Sequence, residues 1–268
     1  MTPTFRLKII VAYDGRPFRG WQSQAGGTAV QDHLEAAFQK IASTRIVVHG
    51  SGRTDSGVHA LAQVAHADVP IHFLPPAKWL AALNANLPPE IRVLRSTRVP
   101  QNFHSRFQAR GKVYRYRLFS GPIFPPHEIG RAWHVQGLID PTLLLAGSSI
   151  LTGTHDFAGF AANRGQPPTS TIRTLHSITL SRRGPLFTLQ FIGNGFLYKM
   201  VRLLTGTLVR CSLGRMELSH LSTLLLGGGN PKTHFQAPAE GLTLVRVLYG
   251  KGFPGTTGAA TRALTTTA

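Results

Sequence analysis

Acidic residues are scarce in this sequence. Its 268 residues include 11 Asp and Glu against 29 Lys and Arg, which gives a formal net charge of +18 at pH 7 and a pI near 11.4. Self-repulsion of that size weakens a compact fold, so we expect a polyanionic partner to offset it. Nucleic acid and an acidic membrane surface are the two candidates.

Long apolar segments and cysteines are scarce as well. The longest apolar stretches, such as 9–12, have the length of a strand, so nucleic acid is the favoured partner and no membrane association is expected. The single cysteine, Cys211, cannot form an internal disulfide, and no apolar segment of signal-peptide length begins the sequence. We therefore expect a cytoplasmic protein. The histidines form no Cys/His cluster at zinc spacing, so no metal site is predicted.

The first part of the chain alternates between patterns typical of strands and of helices. Period-2 apolar alternation and β-branched residues predict strands over 6–13, 45–49, 61–69 and 91–99. One helix is predicted after a capping box at 28–31, and a second begins at Pro76. The order βαββαβ is the ferredoxin-like arrangement, which RNA-binding modules of the RRM type also use. Residues 1–108 are therefore predicted to form one domain.

The second part repeats this alternation more loosely. Strands are predicted over 112–120, 131–135, 171–182, 186–192 and 242–249. Helices are predicted from a cap at Asp140 to Leu151, along the spacing of Leu197, Val201, Leu204 and Leu208 as the longest helix, and over 218–226, with a long loop at 153–170. We predict an α/β (α+β) fold of two ferredoxin-like halves with mixed antiparallel sheets, the second at 109–250. Residues 251–268, rich in Gly, Thr and Ala, are expected to be disordered.

A glycine-rich stretch, Gly50–Ala60, concentrates groups that can do chemistry. It holds three glycines, a guanidinium on Arg53, a carboxylate on Asp55, three hydroxyls and an imidazole. Glycines allow a ligand or another segment to approach closely, so such a loop can present side chains. It can equally be a surface turn in which hydroxyl and carboxylate groups bond to their own backbone. Local composition leaves both interpretations open.

Aromatic and basic side chains alternate in two neighbouring segments, Phe103–Phe107 and Lys112–Tyr116. Rings can stack on unpaired bases while cations meet phosphates, so the candidate RNA contacts are His104, Arg106, Lys112, Tyr114 and, on the long helix, Lys199. Ordinary packing explains Tyr116 better than binding does, and Tyr114 fits either role. His155 is better explained by a turn, and Arg202 on sequence spacing alone is a common surface cation.

The stretch GRTDSGVHA at 52–60 resembles the catalytic signature of the TruA-type tRNA pseudouridine synthases, with Ser56 where that family usually has Ala. Further segments resemble the family in the same order along the chain, which makes the match far more specific than one motif. They are Ala12–Gly15, Gly20–Gln22, Val30–Glu35, Leu83–Pro88, Phe103–Phe107, Lys112–Tyr116, His155–Phe157, Met200–Gly206 and Ala237–Leu242.

The resemblance implies a cofactor-free isomerase that converts uridine to pseudouridine at positions 38–40 of tRNA, in the anticodon stem-loop. It also implies two ferredoxin-like halves joined across a central basic cleft, and a homodimer. Asp55 would be the nucleophile, attacking either the sugar or the base, and Arg53 would hold the flipped base out of its stack. Tyr114 would stack on the uracil and help to remove its C5 proton. Arg202 would pair with Asp55.

Two other function classes compete with this interpretation. A non-catalytic RNA-binding protein or RNA chaperone could use the same charge and fold, and Asp55 would then be dispensable. A hydrolase that cleaves the N-glycosidic bond would need a second carboxylate. Its candidates are Asp14, Glu35 and Asp156, and none has a spacing that argues for it.

Overall fold

The computed structural model of this chain describes residues 3–71, 74–163, 165 and 168–250. These residues form two units: residues up to Ala109 with Thr243–Tyr249, and Arg110–Leu242. The predicted domain division at 108/109 stays a prediction, and the structure groups the last strand with the first unit. The expected disordered tail, 251–268, lies outside the described residues.

Ten strands and five α-helices make up the regular structure of the described residues. The strands are β1 Thr4–Tyr13, β2 His49–Gly50, β3 His59–Pro70, β4 Ile91–Val99, β5 Gly111–Phe119, β6 Trp133–His134, β7 Gly153–Asp156, β8 Ile172–Arg183, β9 Leu186–Gly193 and β10 Leu242–Leu248. The helices are α1 Val30–Ala42, α2 Pro76–Ala85, α3 Pro141–Leu151, α4 Met200–Ser212 and α5 Ser219–Leu226.

In the first unit, β1 lies between β3 and β4 and pairs with both in antiparallel fashion. β2 pairs with β3 in antiparallel fashion, with Gly50 opposite Ala65, and β10 runs parallel to the start of β3. Leu7, Ile9 and Val11 alternate along β1 and are fully buried. Ser96, opposite Ile9, donates to the carbonyl of Pro76 (2.8 Å), so α2 covers this apolar face.

Two local predictions for the first unit are wrong. The predicted strand 45–49 is reduced to His49–Gly50, because the Val48 N–H donates to the Glu35 carboxylate (3.1 Å) and not to a neighbouring strand. The predicted capping box at 28–31 does not form, since α1 begins one residue after Ala29, whose N–H donates to Asp32 (2.9 Å).

In the second unit, antiparallel pairing runs from β5 through β9 and β8 to β7, and β6 pairs in parallel with the end of β5. Asp140 caps α3 as predicted, accepting the N–H of Thr142 (2.7 Å). Every residue of α4 except Arg210 is buried, which makes α4 the central helix of this unit's core. Antiparallel and parallel pairs thus coexist with packed helices, and the predicted α/β class with mixed sheets is confirmed.

Two boundaries in the second unit differ from expectation. The predicted loop at 153–170 contains β7 and a short 3-10 turn at Ala158–Phe160. The predicted longest helix begins only at Met200 and, at 13 residues, equals α1 in length. Lys199 therefore precedes the helix and adopts a left-handed conformation, with φ of 60°, instead of lying one turn from Arg202 on its surface.

Candidate active site

The glycine-rich stretch Gly50–Ala60 connects β2 to β3 in the first unit, and we call it the Asp55 loop. Its first residues are held by a single buried side chain of β3, Gln63. The Gln63 amide oxygen accepts the Ser51 hydroxyl (2.6 Å), and its amide nitrogen donates to the Gly52 carbonyl (2.9 Å). Gln63 is wholly buried, so these hydrogen bonds do not compete with water. The start of the loop therefore has one defined conformation.

Thr54 is the buried centre of the loop. Its hydroxyl shares a 2.8 Å hydrogen bond with the Tyr13 hydroxyl, and its carbonyl accepts the Trp21 N–H (3.1 Å). Gly20, at φ of 83°, lies so close that a Cβ there would stand 2.5 Å from the Thr54 carbonyl oxygen. Burial raises the pKa of Tyr13 to about 12, so its hydroxyl stays neutral beside Thr54.

Arg53 and Asp55 flank this buried threonine and reach solvent. Arg53 is exposed and donates through Nε to the Gln22 side chain (3.1 Å), whereas Asp55 is half-buried. The Asp55 carbonyl accepts the Val58 N–H (3.1 Å) in a turn that requires Gly57 at φ of 80°. Because Thr54 is held by hydrogen bonds to Tyr13 and Trp21, the backbone positions of its neighbours Arg53 and Asp55 are set as well.

The hydroxyl groups of the loop argue against a simple surface turn. Ser56 donates to the Phe18 carbonyl (3.1 Å), and Thr54 bonds to Tyr13, so both hydroxyls bind other segments and not their own backbone. Inter-segment bonds of this kind hold a loop in place, while local ones would only stabilise a turn. The loop is therefore held by the preceding segment, 13–22.

The end of the loop is held by His59. The Gly15 N–H donates to His59 Nδ1 (3.2 Å), and Asp14 Oδ1 lies 3.3 Å from the same nitrogen. Asp14 also pairs with Arg16, whose hydrogen bonds hold the pKa of that carboxyl below its usual value. β10 pairs with the loop end as well, with Leu244 opposite Ala60. Both ends of the loop are therefore anchored.

The other carboxylates considered for a hydrolase have structural partners. Asp14 pairs with Arg16, and Glu35 accepts hydrogen bonds from Gln31 (2.8 Å) and from the Val48 N–H. Asp156, in the second unit, accepts the Ala158 N–H (2.9 Å). Each of the three thus stabilises a local turn, helix or loop.

In the second unit, Arg202 is buried on α4 and anchored to a distant segment. Its Nε donates to the Ala237 carbonyl (2.9 Å), and its own carbonyl accepts the Ala237 N–H (3.0 Å). Gly206, one turn further along, lets the Phe235 backbone approach, because a Cβ there would lie 2.7 Å from the Phe235 carbonyl carbon. Arg202 is therefore a fixed, largely buried cation and not a mobile surface one.

The two tyrosines of β5 are both buried but differ in their contacts. Tyr116 is fully buried, donates to the Pro238 carbonyl (2.7 Å) and packs against Gly241, so it is a core residue, as predicted. Burial raises the pKa of Tyr116 well above its usual value. Tyr114 is 7% exposed and meets the Phe196 ring edge to face at 5.0 Å.

The remaining candidate RNA contacts divide between the units. His104 is half-buried and Arg106 exposed in a turn that follows β4 in the first unit. Lys112 is half-buried on β5, opposite Gly193, and Lys199 lies just before α4 with its Nζ 5.4 Å from the Tyr198 ring centre. Their proposed roles stay predictions.

Sequence reasoning missed two residues that build the loop, Gln63 and Tyr13. A glutamine inside the apolar run of β3 was the available signal for Gln63, because a buried amide needs partners. Within 3–71, 74–163, 165 and 168–250, no group of three His, Cys, Asp or Glu side chains could hold a metal ion. Over the same residues, no helix is both long and apolar enough to cross a membrane.

Comparison with known proteins identifies the class of protein to which this fold and loop belong. A family model described as tRNA pseudouridine synthase matches residues 9–108 and 148–250, which include the Asp55 loop, Arg202 and Ala237. A chain titled as part of a Cbf5-Nop10-Gar1 complex aligns with a TM-score of 0.32 at 12% identity, covering 88% of this chain and 57% of that one, which is too weak to inform the fold.

Relatives that share almost their whole length with this chain narrow the assignment. The chain is 45% identical to tRNA pseudouridine synthase A of Akkermansia muciniphila, covering 91% of this chain and 95% of the relative. It is 44% identical to the enzyme of that name from Solidesulfovibrio magneticus (93% and 94%) and 39% identical to that from Bacillus licheniformis (91% and 99%). The chain belongs to the tRNA pseudouridine synthase family, a family of isomerases, and the resemblance in its sequence is confirmed.

Proposed function

We propose that this protein isomerises uridine to pseudouridine in the anticodon stem-loop of tRNA, with Asp55 as the nucleophile. The observation that carries the proposal is the anchoring of the Asp55 loop, which fixes one carboxylate between a pinned threonine and a glycine turn. A reacting group is effective when its own conformation is set before substrate arrives. Family membership and the name shared by the relatives support the reaction and the tRNA substrate.

The reaction requires a group that supports an electron-poor sugar carbon or adds to the base. The bond from N1 of uracil to C1′ breaks, the base turns, C5 bonds to C1′, and the C5 proton is lost while N1 gains one, so atoms balance without a cofactor. A carboxylate can serve at either point, by forming an ester with the sugar or an adduct with the pyrimidine ring. Asp55 provides that carboxylate in either route.

The neighbouring Arg53 provides a second group that the reaction needs. Extruding a base from its stack costs a few kcal/mol, so some group must hold the base out. Arg53 suits this role, because its guanidinium is planar, permanently charged and exposed beside the reacting carboxylate. Its bond to Gln22 limits the directions it can take.

We further propose catalytic roles for Tyr114 and Arg202, and tRNA contacts for His104, Arg106, Lys112, Tyr114 and Lys199. Arg202 is buried and hydrogen-bonded to Ala237, and Tyr114 packs against the Phe196 ring. Both side chains are therefore held rigidly enough to act on a substrate. A homodimer and a cytoplasmic location are part of the same proposal. The positive net charge supports the tRNA partner.

The experiment replaces Asp55 with asparagine, which keeps the size and polarity of the side chain and removes its nucleophilicity. Uridine conversion in a tRNA transcript, measured under single-turnover conditions, should fall by roughly three orders of magnitude or more. Affinity for tRNA should change little, because Lys and Arg elsewhere make the phosphate contacts.

The matched control is Asp156→Asn, since asparagine can still accept the Ala158 N–H. This variant should convert uridine at the wild-type rate. Wild-type activity of Asp55→Asn would remove the proposed nucleophile. Loss of activity in both variants would point to a general effect of lost negative charge.

A further inference from the structure

One exposed ring in the first unit is not explained by packing. Among the exposed large apolar side chains of the described residues, Phe107 is the only aromatic one, and it is 76% exposed. Single exposed apolar residues are common on protein surfaces and need no special role. Phe107 differs because another ring packs against it, that of His104, at a centroid distance of 4.2 Å and tilted by 30°.

Two further imidazoles lie behind this pair, and we call His49, His66 and His104 the imidazole cluster. His66 is buried, stacks on His49 at 5.0 Å and meets His104 edge to face at 4.7 Å. Successive rings therefore lead from the buried His66 through His104 to the exposed Phe107. His49 directly precedes Gly50, so the cluster adjoins the start of the Asp55 loop.

The turn that presents Phe107 is held by hydrogen bonds on both sides. The N–H groups of Arg106 and Phe107 donate to His104 Nδ1 at 3.1 and 3.3 Å. Ser105 is fully buried: its hydroxyl donates to the His49 carbonyl (2.6 Å) and its carbonyl accepts the Tyr249 hydroxyl (2.5 Å). Because the turn is already ordered, binding a ligand to the Phe107 ring costs little conformational entropy in the protein.

The charges around the ring favour an RNA base over other flat or apolar groups. Burial, followed by the neighbouring His49 and Arg6, lowers the pKa of His104, so the ring behind Phe107 is neutral at pH 7. A permanent charge lies beside the ring on Arg106, which is exposed with its guanidinium 5.7 Å from the Phe107 ring centre. A neutral aromatic face beside an exposed cation matches a stacked base with its phosphate.

We propose that Phe107, backed by His104, is a stacking platform for one unpaired base of the RNA substrate, with Arg106 contacting a phosphate beside it. The inference extends the proposed function by assigning a substrate contact outside the reacting uridine. A second copy of this chain is a poorer occupant of this ring, because RNA brings a phosphate to the exposed Arg106, whereas a protein with a net charge of +18 and few acidic residues offers that cation little negative charge.

The test compares two RNAs of equal length by fluorescence anisotropy: a hairpin with an unpaired loop and a fully paired duplex. Phe107→Ala should weaken hairpin binding about 5- to 100-fold and leave duplex binding unchanged. Phe107→Trp should bind the hairpin as the wild type does. Leu94→Ala, which removes another exposed apolar side chain of the same unit, is the matched control and should change neither affinity.

Salt dependence separates the ring from the cation. Phe107→Ala should keep the wild-type slope of hairpin affinity against salt concentration, because a neutral ring releases no counterions. Arg106→Ala should reduce that slope by about one. A reduced slope in Phe107→Ala would overturn the stacking role, since the ring would then act only by placing the arginine.

Three other results would overturn the proposal. They are wild-type binding of both RNAs by Phe107→Ala, equal weakening of hairpin and duplex, and loss of self-association by Phe107→Ala in sedimentation without RNA. The last result would mean that a second copy covers the ring. The hairpin–duplex difference is independent of turnover, so absence of pseudouridine in wild-type reactions would refute the proposed function alone.

Discussion

Replacing Gln63 with leucine would separate the anchoring of the Asp55 loop from its chemistry. Leucine has a similar volume and no polar group, so the change removes the two hydrogen bonds to Ser51 and Gly52 and a further one to the Tyr13 hydroxyl. Gln63 contacts the loop only at its start, three and four residues before Asp55. It is therefore a positioning residue and not a catalytic one.

The expected cost follows from the groups left without a partner. Ser51 is 2% exposed and Gly52 half-buried, so the hydroxyl and the carbonyl cannot both regain full hydration while the loop keeps its conformation. A buried polar group without a partner costs roughly 1–3 kcal/mol, which gives about 2–6 kcal/mol for the pair. The loop can avoid this cost only by moving toward water, and that movement would displace Asp55.

Two measurements on the same variant distinguish these outcomes. Urea denaturation should show a free energy of unfolding about 2–6 kcal/mol lower if the loop stays in place. If the loop relaxes, stability should fall less while kcat for uridine conversion falls and tRNA affinity stays. Gln24→Leu is the control, since Gln24 is an exposed glutamine of the preceding segment and should change stability by less than about 0.5 kcal/mol. Unchanged stability together with unchanged kcat in Gln63→Leu would refute the anchoring argument.

Two further predictions concern the packing and the pH dependence of the fold. Gly206→Ala should lower the free energy of unfolding by about 1–3 kcal/mol, because its Cβ would press on the Phe235 backbone. Gly195→Ala is the control and should be tolerated, because its Cβ would meet only the Arg173 side chain, at 3.5 Å. Equal thermal midpoints of the two variants would contradict this prediction. Burial lowers the pKa of His66 from 6.5 to about 4, so between those pH values the unfolded chain binds a proton that the native protein does not. The free energy of unfolding is therefore at its full value above pH 6.5 and falls by up to about 3 kcal/mol as the pH drops toward 4. Urea titrations of His66→Gln from pH 7 to 4.5 should be flatter than those of the wild type, and parallel curves would contradict the assignment.

Local patterns predicted the regular elements where the deciding interactions are local. The bounds of β4 agree with the prediction, and α2 starts at Pro76, because alternation and the fixed φ of proline act within a few residues. The prediction for 45–49 failed because the Val48 N–H is taken by Glu35, 13 residues earlier. A period-2 pattern cannot tell whether a neighbouring strand or a side chain receives such a donor.

The candidate site, too, was predicted where its residues are close together in the sequence and missed where they are distant. The glycines and charged groups of the Asp55 loop are contiguous, so composition marked the loop as unusual before any fold was known. Its anchors, Tyr13 and Gln63, come from strands on either side, and only their packing shows that they hold Thr54 and Ser51. The roles of Tyr114 and Arg202 came from the family resemblance, because burial and spacing on one strand or helix are equally consistent with structural residues.

The most direct test of the central claim is a nucleotide-resolution map of a uridine-containing tRNA transcript after incubation with the wild-type protein. Carbodiimide mapping combined with mass spectrometry should find pseudouridine on the 3′ side of the anticodon stem-loop, with no change in the mass of the RNA, because isomerisation neither adds nor removes atoms. An unmodified transcript would contradict catalysis and favour a binding protein. Release of free uracil with an abasic site would show hydrolysis in place of isomerisation.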